Sequence, residues 1–168
     1  VRIRVYPKGQ SFGESFCDLE IPMDKAIHPV TVQSDYEGLH RIEIDDGGNL
    51  TLFHWPTRQK LAIPSGQEEC AYINARYSLY FFVPKGAQKI AGYAGRPAGR
   101  ILNAEGAERF AFTTMEGPGY FDIPVAEGED DQVWKLEQGL GQVLLMTVPP
   151  YLSVGENSML IPSEVDAR

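Results

Sequence analysis

The sequence predicts an all-β protein, a two-sheet antiparallel β-sandwich of jelly-roll type, and three observations predict it. Short apolar–polar alternations of period two recur along the chain, each marking a strand with one buried face. Chain-turning residues stand between them, with 17 Gly and 12 Pro among 168 residues. No comparable stretch keeps the period of a helix. Many short strands must each bury a face, and two packed antiparallel sheets do this without crossover helices. The length and a hydrophobic content of 43% fit a single domain over 1–168.

Residues 1–6 alternate Val1, Ile3 and Val5 against Arg2, Arg4 and Tyr6. Residues 7–35, with Gly9, Gly13, Pro22 and Pro29, read as irregular chain wrapping the edge of the sandwich, apart from a short strand candidate at 30–33. Segments 39–45 and 50–55 flank Asp46-Gly47-Gly48-Asn49, where two glycines can take the positive φ of a tight hairpin turn. That register sends His40, Ile42, Ile44, Thr51, Phe53 and Trp55 to one face, and Arg41, Glu43, Leu52 and His54 to the other. Further strand candidates lie at 60–63, 71–83, 89–93, 100–103, 108–113, 119–123, 132–137 and 142–148. Four of the strands run into a Pro-then-Gly turn: Tyr6-Pro7-Lys8-Gly9, Ile63-Pro64-Ser65-Gly66, Val83-Pro84-Lys85-Gly86, and Ile123-Pro124 leading to Gly128. Their unequal spacing marks recurrent turn chemistry and not a blade or solenoid repeat.

Fifteen basic residues against 23 acidic ones give a formal net charge of −8. Phosphate backbones and anionic lipid surfaces are repelled at long range, so no nucleic-acid partner is expected. No apolar run approaches the roughly 20 residues that span a bilayer, so no membrane insertion is expected. Val1 in place of an initiator Met reads as a mature or excised segment. Cys17 and Cys70 fit one disulfide or two separate thiols equally well, and Asn49-Leu50-Thr51 fits a glycosylation sequon or a plain turn.

Catalytic motifs are scarce. Gly9-Gln10-Ser11-Phe12-Gly13 spells Gly-x-Ser-x-Gly, but it lies in the stretch read as irregular chain, without the strand-to-helix turn of an α/β-hydrolase elbow, and Ser65 is a turn serine. His28, His40 and His54 are isolated from each other, and the predicted hairpin points the last two to opposite faces, against a joint zinc or iron site. Gly92 to Gly99 lacks the Lys-Ser/Thr of a phosphate loop and reads as a wide turn. Hard oxygen ligands gather at Asp45 and Asp46, and at Glu129, Asp130 and Asp131. They are candidate ligands of a structural calcium ion, with solvated acidic loops as the default.

Aromatic rings near strand ends suit sugar binding, because the C–H side of a pyranose is apolar and its rim is polar. Tyr36, Trp55, Tyr93 and Tyr120 are the candidates. The alternation around Trp134 leaves open which of its neighbours face inward. The runs Leu79 to Gly86, Gly99-Arg100-Ile101, Tyr120 to Pro124, Val133 to Leu136 and Gly141 to Leu145, together with Tyr36 to Trp55, resemble the β-sandwich, carbohydrate-binding-module-like accessory domains of large exported bacterial proteins. The resemblance lies in strand and turn texture over 36–152. It implies a non-catalytic module, extracellular or periplasmic, that binds polysaccharide or supports an adjacent domain of the same chain. Two alternatives stand beside it: a small β-sandwich hydrolase or lyase acting on polysaccharide, and an assembly domain with an apolar patch around Tyr151 and Leu152.

Overall fold

The computed structural model describes residues 1–7, 14–49, 51–56 and 58–160, and among them the secondary structure is β apart from two 3-10 turns. Every pairing between its strands is antiparallel. The all-β expectation therefore holds. The chain divides into two compact units, Val1–Phe53 and His54–Arg168.

The first unit is a three-stranded sheet. Strand β1 (Arg2–Pro7) lies between β2 (Cys17–Glu20) and β3 (His40–Asp45). Ile3 faces Leu19 and Ile44 across the ladders, and Val5 faces Cys17 and Ile42, so the apolar positions of the three strands coincide. Ile3, Val5 and Tyr6 are buried, and the Tyr6 hydroxyl donates to Glu43 Oε2 at 3.1 Å. Charged residues line the sheet: Arg2 pairs with Asp18 at 2.6 Å, and Arg4 lies 3.8 Å from both Asp18 and Glu43.

Two expectations change here. The hairpin does not form: β3 pairs with β1, and 51–56 carries no strand, with Leu52 exposed. The turn itself is built as expected. Gly47 and Gly48 have φ of 62° and 81°, and their amides donate to Asp45 and Asp46 side chains. A turn reverses the chain without choosing its partner; Ile42 and Ile44 meet better-matched apolar residues on β1. Leu50 lies outside the described residues. Within 7–35, β2 is a strand and not irregular chain, whereas 30–33 is exposed and unpaired. Residues 8–13 lie outside the described residues.

The second unit holds the main core. A four-stranded sheet has the order β5-β10-β7-β8, and a three-stranded sheet the order β11-β6-β9. Their ranges are β5 (Tyr77–Val83), β6 (Lys89–Ala94), β7 (Arg100–Leu102), β8 (Glu108–Ala111), β9 (Gly119–Pro124), β10 (Gln132–Gly139) and β11 (Val143–Leu145). Two-residue strands β4 (Ile63–Pro64) and β12 (Tyr151–Leu152) pair with each other. Register explains the core. Trp134 faces Phe81 and Leu136 faces Leu79 across β10 and β5, putting four large side chains on one face. Ile90 faces Ile123 across β6 and β9. Both sheets feed one hydrophobic cluster that also takes in Phe112, Val148 and Leu152.

Trp134 is fully buried, and its indole N–H donates to the Glu129 carbonyl at 2.9 Å, which satisfies the one polar atom of the ring. Burying a side chain of this size contributes about 3 kcal/mol. Strand β12 corrects the proposed patch at Tyr151 and Leu152: Leu152 is a core residue and Tyr151 is half-buried.

Candidate functional site

The outer face of the β11-β6-β9 sheet carries the site. Ile90, Gly92 and Ala94 of β6 point into the core, so Lys89, Ala91 and Tyr93 point out. On β9 the inward residues are Phe121 and Ile123, and Tyr120 and Asp122 point out. The register sets Tyr93 opposite Tyr120 on one side and opposite Leu144 on the other. A row Leu144–Tyr93–Tyr120 thus crosses three strands. The two tyrosine rings pack edge to face, their centroids 5.3 Å apart, and Tyr120 keeps 78% of its surface exposed. Ala91 stands opposite the exposed Asp122 in the next row, which leaves a low floor beside the rings with one carboxylate on it.

What lies beneath makes this face firm. A Cβ on Gly92 would sit 2.6 Å from the Phe121 ring and 2.1 Å from the Leu144 carbonyl oxygen, so only glycine lets Phe121 and β11 approach β6 this closely. Phe121 in turn packs on Phe110 and Phe112, with centroids 5.6 and 5.1 Å away. Beyond the end of β11, the Thr147 hydroxyl accepts from the Ala91 amide at 2.7 Å and donates to the Lys89 carbonyl at 3.0 Å. A side chain continues the ladder there. A cleft of about 430 Å³ at the end of β11 is lined by Pro64, Gly66, Glu68, Met146, Pro150 and Tyr151 among others, and by none of the three row residues.

Of the four aromatic candidates, the structure brings Tyr93 and Tyr120 together. Trp55 lies on no strand and its indole donates to the Gln59 carbonyl at 2.9 Å. Tyr36 belongs to the first unit, where its exposed ring packs against Phe16 at 5.7 Å.

The acidic candidates serve their own loops. Asp45 and Asp46 hold the Gly47-Gly48 turn. Glu129 accepts from the buried Asn103 side chain at 2.7 Å and pairs with Arg109, and Asp130 accepts from the Gly86 amide at 2.6 Å. The loop after β9 is thereby tied to the turns following β5 and β7, which differs from a solvated loop. Asp131 is exposed, with a φ of 57°. Among the described residues, no three His, Cys, Asp or Glu side chains gather as a metal set. The two thiols are not bridged, and burial pushes the Cys70 thiol up.

One arrangement escapes a motif search. Ser34, Tyr36, Gly38 and His40 occupy alternate positions, and Ser34 Oγ lies 2.7 Å from His40 Nε2. Alternation is the one signal the sequence offers for it. His28 bonds Asp24 at 2.8 Å, and His54 is exposed.

No protein-family model, no curated protein and no solved structure matches the chain.

Proposed function

We propose that this chain is a two-sheet β-sandwich accessory module of an exported bacterial protein, and that it binds carbohydrate on the outer face of β11-β6-β9. The Tyr93–Tyr120 pair carries the reading. One exposed ring, Tyr120, and one half-buried ring, Tyr93, on adjacent strands and backed by a packed core offer stacking surface without the entropy of ordering a loop. Neighbouring strands are about 4.8 Å apart, so the row from Leu144 to Tyr120 spans about 10 Å, enough for more than one sugar ring laid across the strands. The tyrosine hydroxyls and Asp122 supply donors and acceptors for sugar hydroxyls. A net charge of −8 favours neutral glycans over uronate polymers.

Affinity electrophoresis through gels containing neutral β-glucan, xylan, mannan or starch tests this. The expected result is retardation by at least one neutral glycan, clearly reduced in Tyr120→Ala, a substitution at a site too exposed to unfold the protein. Absence of retardation by any of them, or equal retardation of the variant, contradicts the reading. A second reading, a protein-assembly domain, draws on the exposed Ile27 and Leu52 of the first unit, at 87% and 80%; concentration-dependent light scattering distinguishes it.

A further inference from the structure

The first unit holds a second, independent arrangement. His40 Nδ1 lies 2.9 Å from the Gly38 carbonyl oxygen, and a carbonyl only accepts, so Nδ1 carries the ring proton. In the neutral imidazole Nε2 is then the acceptor, and the Ser34 hydroxyl at 2.7 Å donates to it. The longer contact from Ser34 Oγ to the Tyr36 carbonyl, at 3.3 Å, competes weakly for that proton. The Tyr36 amide donates to the same Oγ at 3.1 Å, which fixes the hydroxyl and stabilises negative charge developing on it. Gly38 has a φ of 95°, a backbone state that aims its carbonyl at the imidazole and strains any other residue. Nucleophile, base and orienting group are thus all within hydrogen-bond reach. Phe16 packs on His40 at 5.6 Å and on Tyr36 at 5.7 Å, placing aromatic surface beside the pair.

We propose that Ser34 and His40 form a nucleophile–base pair that hydrolyses aryl esters, with the aryl group against Phe16 and Tyr36. The Ser34 Oγ proton passes to Nε2 as Oγ bonds to the ester carbonyl carbon. The adduct collapses by breaking the bond to the phenolic oxygen, which takes the proton from Nε2. Water then gives a proton to Nε2 and attacks the seryl ester; the acid leaves and Oγ regains the proton. The sum is ester plus water to acid plus phenol.

The test uses the full chain with 4-nitrophenyl acetate, following phenolate release and locating the acetyl group by peptide mass spectrometry. The expected result is acetylation at Ser34 and loss of the reaction in Ser34→Ala. His40→Ala should slow acylation by about 100-fold, the lower end for a general base, and added imidazole should restore much of it, which a loop clip would not allow. Ser34→Cys keeps the pair and should be acetylated on sulfur. His54→Ala, at an exposed histidine outside the pair, should react at the wild-type rate, separating the pair from general imidazole reactivity. Label on another residue, an unchanged rate in Ser34→Ala, or an unchanged rate in His40→Ala would overturn it and leave a hydrogen-bonded clip closing the 34–40 loop.

Discussion

The two units of this chain are both antiparallel β-structures, yet they are held by different forces. In the second, two sheets contribute to one cluster around Trp134, Phe81 and Phe112, all fully buried. In the first, one sheet buries Ile3, Val5 and Tyr6, while Met23, Ile27, Leu52 and Phe53 stay exposed. Its strands are pinned mainly by ladder hydrogen bonds and by the Arg2–Asp18 and Arg4–Glu43 contacts on the surface. Apolar burial scales with area, and surface ion pairs contribute little. The stability of this protein is therefore concentrated in the second unit. The sites follow the same division: the tyrosine row rests on strands with a packed aromatic layer beneath, whereas Ser34 sits on a loop whose geometry depends on four hydrogen bonds among Ser34, Tyr36, Gly38 and His40.

The strongest way to break this contrast is to remove its anchor. Trp134→Ala should cost about 3–5 kcal/mol, measured by chemical denaturation. A loss below 1 kcal/mol would show that the cluster is not what holds the second unit together.

Hydrogen exchange sharpens the comparison next. Amides of β10 should exchange only with global unfolding, and those of edge strand β2 through cheaper local opening. Equal protection of the two would erase the distinction.

Alkali probes the second unit specifically. Burial holds the Tyr77 hydroxyl, which donates to the Gly141 carbonyl at 3.0 Å, well above its ordinary value of 10.0. A raised folded value means that this stability is whole below pH 10.0 and falls as pH rises beyond it. Alkaline titration followed at the tyrosinate band should show Tyr77 ionising together with loss of core fluorescence. Ionisation of Tyr77 in a still-folded chain would contradict this.

Acid should produce the smallest effect, and in the first unit. Hydrogen bonding and charge from Arg2 hold the Asp18 carboxyl below its ordinary 3.8. A lowered folded value contributes stability above that pH, lost as pH falls through the folded value. Carboxylate signals of Asp18, followed by NMR, should titrate with the opening of β2, and Asp18→Asn should remove that step.

The sequence made the second unit legible for a physical reason. β5, β6, β9 and β10 bury alternate residues, and burial on one face leaves a period of two that needs no knowledge of the partner strand. Pairing over long distances leaves no such mark. β3 looked joined to 50–55 because Asp46-Gly47-Gly48-Asn49 is strong turn chemistry, yet its partner β1 lies nearly 40 residues away. Val30-Thr31-Val32 has strand composition and no strand, because β-propensity acts only where a neighbour offers a surface to pack on. At the candidate site, Tyr93 and Tyr120 were visible one by one from the turns beside them. Their juxtaposition depends on the β6–β9 register, which a lone sequence does not state. Ser34 and His40 were harder still, since polar residues at alternate positions are common and only the hydrogen bonds single this pair out.

The tyrosine row is the central claim, and titration of the protein with a neutral glycan that retards it, read by isothermal calorimetry, tests it most directly. Wild-type protein should bind, Tyr120→Ala should bind about tenfold more weakly, Tyr93→Ala with Tyr120→Ala should show no heat, and Tyr36→Ala should match wild type. Undiminished binding by the double variant would contradict the account.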